Sequence, residues 1–240
     1  MLKEKIFDFL FAPKAICMGC ASVLGADKGP LCNDCHNKLA PLYNSLGGRT
    51  YRCMNCGEIL EKKRCSRCAK STAGGMYAYS AYAFEEPVRS IIHNFKYKSV
   101  HSMARWMAEE QVKATEKYEK EFDLIVPVPI HFLRSLERGY NQSEKLSKEM
   151  SKLTGIPFEN ALKRIRHTTK QSRADKEERH RRLKGAFIAV KDVKGKKILL
   201  VDDVITTGST MIECVHALQK AGCERVSVST FALTTQKADK

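Results

Sequence analysis

Ile198-Leu-Leu-Val-Asp-Asp-Val-Ile-Thr-Thr-Gly-Ser-Thr210 joins an aliphatic run to two adjacent carboxylates and then to a hydroxyl-rich turn containing glycine. Ile198 to Val201 predict a strand buried on both faces of a parallel sheet, ending where the polar residues begin. Ligands of open α/β sheets bind at that carboxyl edge. Asp202 and Asp203 are acceptors suited to the vicinal hydroxyls of a ribose. Thr206, Thr207, Gly208, Ser209 and Thr210 offer hydroxyls and backbone N–H donors at the start of a helix, where unpaired amides and the helix dipole favour an anion. Taken singly, an Asp ends many strands and a Thr caps many helices; the combination is what specifies a sugar-phosphate pocket. The other common phosphate motifs, G-x-x-x-x-G-K-[ST] and G-x-G-x-x-G, are absent.

A chain of 240 residues can bury a sizeable core as one large or two modest domains. The cysteines argue for two. Eight of the ten fall in the first 68 residues as C-x2-C pairs: Cys17/Cys20, Cys32/Cys35, Cys53/Cys56 and Cys65/Cys68. That spacing lets one tight turn give two thiolates to a metal ion. A disulfide framework needs an oxidising compartment, and the start of the chain is a poor signal peptide because Asp8 interrupts a short apolar run. No stretch approaches a membrane span. The expectation is therefore a cytoplasmic protein with two closed, structural four-cysteine zinc sites in residues 1–73, a double zinc ribbon, followed by an α/β domain over 74–240. Pairing in chain order gives two compact halves, although cross-braced pairing fits the same spacing. Cys214 and Cys223 lie outside the pattern and read as small buried apolar side chains.

The formal charge is +15. Eight thiolates around two Zn²⁺ would remove four charges, so a metallated chain is nearer +11. Lys163 to Lys184 concentrate the excess, with ten Lys/Arg against three Asp/Glu. Arg164, Arg166, Lys170, Arg173, Arg179, Arg181, Arg182 and Lys184 are the candidates within it for contact with nucleic acid or phosphate, upstream of the anion pocket.

After the small-residue linker at 69–75, Met76 to Phe84 predict a strand, and Val88, Ile91, Ile92 and Phe95 repeat at helical spacing. A second helix is expected from about Ser102 to Tyr118, its Trp106 reading as core. Asp123 to Ile130 predict a buried strand ended by prolines, leading to a loop in which Pro127, Val128, Pro129, Arg134 and Arg138 could grip a pyrophosphate. Asn141 is placed to cap the next helix. A further strand over Gly185 to Val190, a helix from Thr210 to Ala221, and a closing strand Arg225 to Leu233 complete an alternation that predicts a parallel sheet with flanking helices.

The Asp-Asp segment resembles the phosphoribosyl pyrophosphate (PRPP) loop of type I phosphoribosyltransferases. Together with the cysteine pairs, Val-Pro-Val-Pro, Arg138-Gly-Tyr-Asn-Gln142, Gln171 and Lys184-Gly-Ala-Phe187, nearly the whole chain resembles the ComF family. One departure is Arg182, where the family pattern usually has Asn shortly before Gly-Ala-Phe. The resemblance implies a double zinc ribbon joined to a type I phosphoribosyltransferase-like domain, with Asp202 and Asp203 on the ribose, the 206–210 turn on the 5′-phosphate, and Mg²⁺ with pyrophosphate near Pro127 to Arg138. It further implies a role in natural competence, with single-stranded DNA and proteins of the uptake machinery as partners. An active transferase in nucleotide or base metabolism and a PRPP-sensing regulator are the alternatives, since the residues show no acceptor half of a transferase site.

Overall fold

The computed structural model describes residues 16–24, 29–44, 48–54, 59–60, 65, 75–97, 101–130, 139–166 and 183–234. A short helix α1 (Asn33–Asn37) and a 3-10 turn (Leu42–Asn44) lead to β1 (Arg49–Cys53) and β2 (Gly75–Ala83). Helices α2 (Val88–Tyr97) and α3 (His101–Glu116) follow, then β3 (Leu124–Pro127), α4 (Gln142–Thr154), the short β4 (Leu162–Arg164) and β5 (Phe187–Ala189), β6 (Lys197–Ile205), α5 (Ser209–Lys220) and β7 (Arg225–Leu233).

The main sheet has the order β1-β2-β7-β6-β3. Its pairs are parallel from β2 to β3, and β1 adds an antiparallel edge. The alternation of strand and helix therefore produces the expected parallel α/β sheet with flanking helices, with a cysteine cluster near its start. β1 lies within the cysteine-rich part of the sequence, so that part is joined to the sheet by main-chain hydrogen bonds.

β6 shows how the site is aimed. Leu199 and Val201 enter the apolar cluster that contains α2, α3 and α4, while Ile198 and Leu200 enter the opposite cluster with α5. The two-residue period then turns Asp203 toward the α2–α4 side, while Asp202 leaves the strand on the α5 side, beside Cys214, and its carboxylate also reaches Ser143 of α4. The strand also runs further than the apolar run predicts. Lys197 to Ile205 align with Arg225 to Leu233, so pairing to β7 carries the ladder past both aspartates.

Two expectations are corrected. Gly185 to Val190 do not add a strand to the parallel sheet; Phe187–Ala189 pair antiparallel with Leu162–Arg164 as a separate two-stranded ribbon. The strand read over 123–130 stops at Pro127, since Pro129 has no N–H to extend it. Trp106 is a core residue as expected, edge-on to Phe231 at 5.4 Å and stacked near Tyr82 at 6.4 Å.

Candidate functional site

The carboxyl end of β6 gathers side chains from three helices. Asp202 Oδ1 accepts from Ser143 Oγ at 2.6 Å and from the backbone N–H of Asp203 at 2.9 Å. Gln111 Nε2 on α3 donates to the Asp202 carbonyl at 3.0 Å. On the other side, Lys96 Nζ at the end of α2 lies 2.7 Å from Asp203 Oδ2. Burial pushes the Asp202 carboxyl up to about 7, and the charge of Asp203 pushes the same way; Ser143, the Asp203 amide and Lys96 oppose them. The Asp202 carboxyl is thus held so that it exchanges its proton near neutral pH.

β6 passes directly into the phosphate-type turn. Gly208 has φ +77°, a left-handed conformation that suits glycine, and its carbonyl accepts the first helical bond of α5 from Ile212 N–H at 3.0 Å. Thr207 and Ser209 exchange a hydroxyl hydrogen bond of 3.1 Å, Thr206 is exposed, and Thr210 is half-buried. The helix start leaves backbone N–H groups without intrahelical partners beside these hydroxyls.

Of the pyrophosphate-loop candidates, Pro127 and Val128 are buried and Pro129 is half-buried. Val128 N–H donates to the Val201 carbonyl at 2.9 Å, so this segment leaves the sheet next to the aspartates. Arg134 and Arg138 lie outside the described residues.

The Gly-Tyr-Asn-Gln segment is a clamp. Tyr140 Oη donates to the Phe95 carbonyl and Gln142 Nε2 to the Lys96 carbonyl at 3.5 Å, satisfying the end of α2. Asn141 caps α4 by accepting from Ser143 N–H at 3.1 Å, as expected, and its Nδ2 donates to the Val128 carbonyl at 3.2 Å. Four consecutive residues, 140–143, therefore tie α2, the exit of β3, α4 and Asp202 together.

At the N-terminal end, the sulfur atoms of Cys17, Cys20, Cys32 and Cys35 all lie within 4.8 Å of one another. Zinc–thiolate bonds of about 2.3 Å in a tetrahedron imply sulfur separations of about 3.8 Å, and Cys20 and Cys32 stand at 3.7 Å. Backbone N–H groups of Gly19 and Cys32 donate to Cys17 Sγ at 3.4 and 3.3 Å. Ser22 hydrogen bonds pull the Cys20 thiol down to about 6, whereas burial pushes that of Cys35 up. The set fits a zinc ion and brings the first two pairs together in chain order. A β-carbon at Gly19 would stand 2.7 Å from Cys35 Sγ and 3.3 Å from Pro87 Cβ, so the knuckle closes around a missing side chain. Asn94 Nδ2 on α2 donates to the Met18 carbonyl at 2.8 Å, and Cys17, Met18 and Cys35 share an apolar cluster with Ile91, Ile92 and Phe95. Cys53, the last residue of β1, is buried together with Leu60 and Cys65, while Cys56 and Cys68 lie outside the described residues.

Three of the basic candidates meet at the base of the β4–β5 ribbon. Arg164 Nε donates to the Arg166 carbonyl at 3.3 Å, Arg166 Nη1 donates to the Lys184 carbonyl at 3.3 Å, and the Arg164 guanidinium lies 5.6 Å from the Phe187 ring centroid. Glu213 on α5 accepts from Gly185 N–H at 2.7 Å, tying the ribbon to the helix of the phosphate-type turn. Lys170, Arg173, Arg179, Arg181 and Arg182 lie outside the described residues. Lys96, Gln111, Ser143 and Glu213 are site residues that no motif marks.

Residues 131–240 match the phosphoribosyl transferase domain family. Over 223 residues the chain is 30% identical to competence protein F of Haemophilus influenzae, covering 88% of this chain and 94% of the relative. It is 27% identical over 221 residues to the DNA utilization protein YhgH of Salmonella typhimurium, covering 89% and 94%. To competence protein ComFC of Streptococcus pneumoniae it is 25% identical over 213 residues, covering 88% and 90%.

Proposed function

Since the chain belongs to the ComF family of competence proteins, we propose that it binds PRPP, or a related phosphoribosyl ligand, at the carboxyl end of β6, and single-stranded DNA along its basic segment, during DNA uptake. The observation that carries this reading is the unbroken run from Asp202 and Asp203 through the Thr206–Thr210 turn into the N-terminus of α5. It sets two carboxyl acceptors for a ribose diol beside hydroxyls and backbone amides for a 5′-phosphate. Mg²⁺ enters with the pyrophosphate, near 127–138. The four-cysteine cluster holds one structural zinc ion, and Cys53, Cys56, Cys65 and Cys68 hold a second. We infer a cytoplasmic setting, because thiolates that serve metals persist where disulfides are disfavoured. Among the described residues no helix is long and apolar enough to cross a membrane.

Calorimetry with PRPP and Mg²⁺ on the zinc-loaded protein tests the first part. Binding is expected, and its loss in the Asp202→Ala/Asp203→Ala double variant; equal binding by that variant overturns the assignment. Anisotropy of a labelled single-stranded oligonucleotide tests the second. Affinity should fall with salt at a log–log slope of about −0.7 per neutralised phosphate, and binding indifferent to salt removes the basic segment from the proposal.

A further inference from the structure

We propose that Lys96 is a positioning residue of the phosphoribosyl site, its ammonium group fixing Oδ2 of Asp203 so that this carboxylate meets a ribose hydroxyl in one orientation. The proposal rests on the phosphoribosyl reading above and adds a residue that the sequence pattern does not mark.

Its first support is geometry. The Lys96 Nζ to Asp203 Oδ2 distance is 2.7 Å, with the two side chains only 21% and 9% exposed. A pair so enclosed differs from exposed ion pairs, whose geometry is loose and whose contribution is small. Its second support is the way the lysine is carried. A lysine stem is long and flexible, so a fixed ammonium needs a fixed helix beneath it. Around Lys96 that helix is pinned from three directions: Tyr140 holds the Phe95 carbonyl, Gln142 the Lys96 carbonyl, and Asn94 the Met18 carbonyl of the cysteine knuckle. Asn94 and Lys96 are two positions apart, about 200° round the helix, so the knuckle grips one side while the lysine serves the other.

The third support is charge. Asp202 and Asp203 repel each other and would repel a polyanionic ligand, and a cation touching one of them offsets both effects. Among the described residues, Cys214 on α5 also faces Asp202, and Glu213 of α5 and Arg164 of β4 act on Cys214 behind it. α3 and α4 present Gln111 and Ser143, which do not titrate. Lys96 is the cation in contact with the pair.

The test compares the full chain with Lys96→Met, Lys96→Gln and Lys96→Arg. Affinity for PRPP with Mg²⁺, and for ribose 5-phosphate, is measured from pH 6 to 9 beside thermal unfolding. Removing the cation should weaken both ligands by about 10- to 100-fold at pH 7, the range for hydrogen bonds to charged groups. The pH midpoint of binding should move to higher pH, because Asp202 loses the nearby cation that favours its ionised form. Lys96→Arg should restore the midpoint and most of the affinity. Unchanged affinity and midpoint in both neutral variants overturn the proposal, as does a loss confined to PRPP, which would make Lys96 a pyrophosphate contact. If the wild-type protein binds neither ligand, the phosphoribosyl reading itself fails, and this proposal with it.

Discussion

The two sides of α2 are organised by opposite means. On one side, four thiols from 19 consecutive residues converge in a knuckle whose shape comes from tight local turns and whose spacing fits a metal ion. On the other, the acidic pair is held by Lys96, Gln111 and Ser143, which come from three different helices. The first draws its ligands from one short stretch of sequence; the second draws its groups from helices far apart in the chain. The local device thus supports the distributed one, because the knuckle packs on the helix that brings Lys96 to Asp203.

The strongest way to break that comparison is to remove metal. Structural zinc contributes roughly 10 to 16 kcal/mol of apparent binding energy in small domains, so chelation should cost several kcal/mol here and weaken PRPP binding through loss of support for α2. Metal analysis should find two zinc ions per chain before chelation. Retained PRPP affinity in a zinc-free, folded protein would show that the two sides are independent. A milder cut is Gly19→Ala, whose added carbon meets Cys35 Sγ; a loss of about 2 kcal/mol, read as easier zinc extraction, is expected from the overpacking.

On the distributed side, Asn141→Ala removes a helix cap and the tie to Val128 together, and should lower stability by about 1 to 2 kcal/mol in denaturant unfolding. The smallest effect should have the opposite sign. The Asp202 carboxyl binds its proton more tightly folded than unfolded, so its contribution to stability is complete near pH 4 and is lost as pH rises to about 7. Asp202→Asn should therefore gain about 1 kcal/mol at pH 8, gain little near pH 4, and bind PRPP poorly. A variant less stable at pH 8 would mean that the carboxylate is a structural acceptor for Ser143 and not a strained ligand group.

What the sequence made legible followed the same division. The cysteine pairs and the Asp-Asp-x-x-Thr-Thr-Gly run could be read because their chemistry is encoded in spacing along a few residues. Ser143 and Gln111 stand 59 and 91 positions from Asp202, and only packing brings them to it. Lys96 looks like an ordinary basic residue in a last helical turn. β1 was hidden for another reason: Arg49-Thr-Tyr-Arg-Cys53 sits among metal-type cysteines, and only its pairing with β2 identifies it as a strand. The β4–β5 ribbon escaped because three-residue strands carry too little periodicity to separate from loops.

That β1–β2 pairing has a practical consequence. Residues Arg49 to Cys53 cover the edge of β2, whose partners on that side run from Tyr79 back to Gly75. Expressing the second half alone, cut near residue 74, would leave a nine-residue, mostly buried strand with a bare row of amides and carbonyls. Such an edge recruits other chains, so the shortened protein should precipitate unless a replacement strand is supplied in trans.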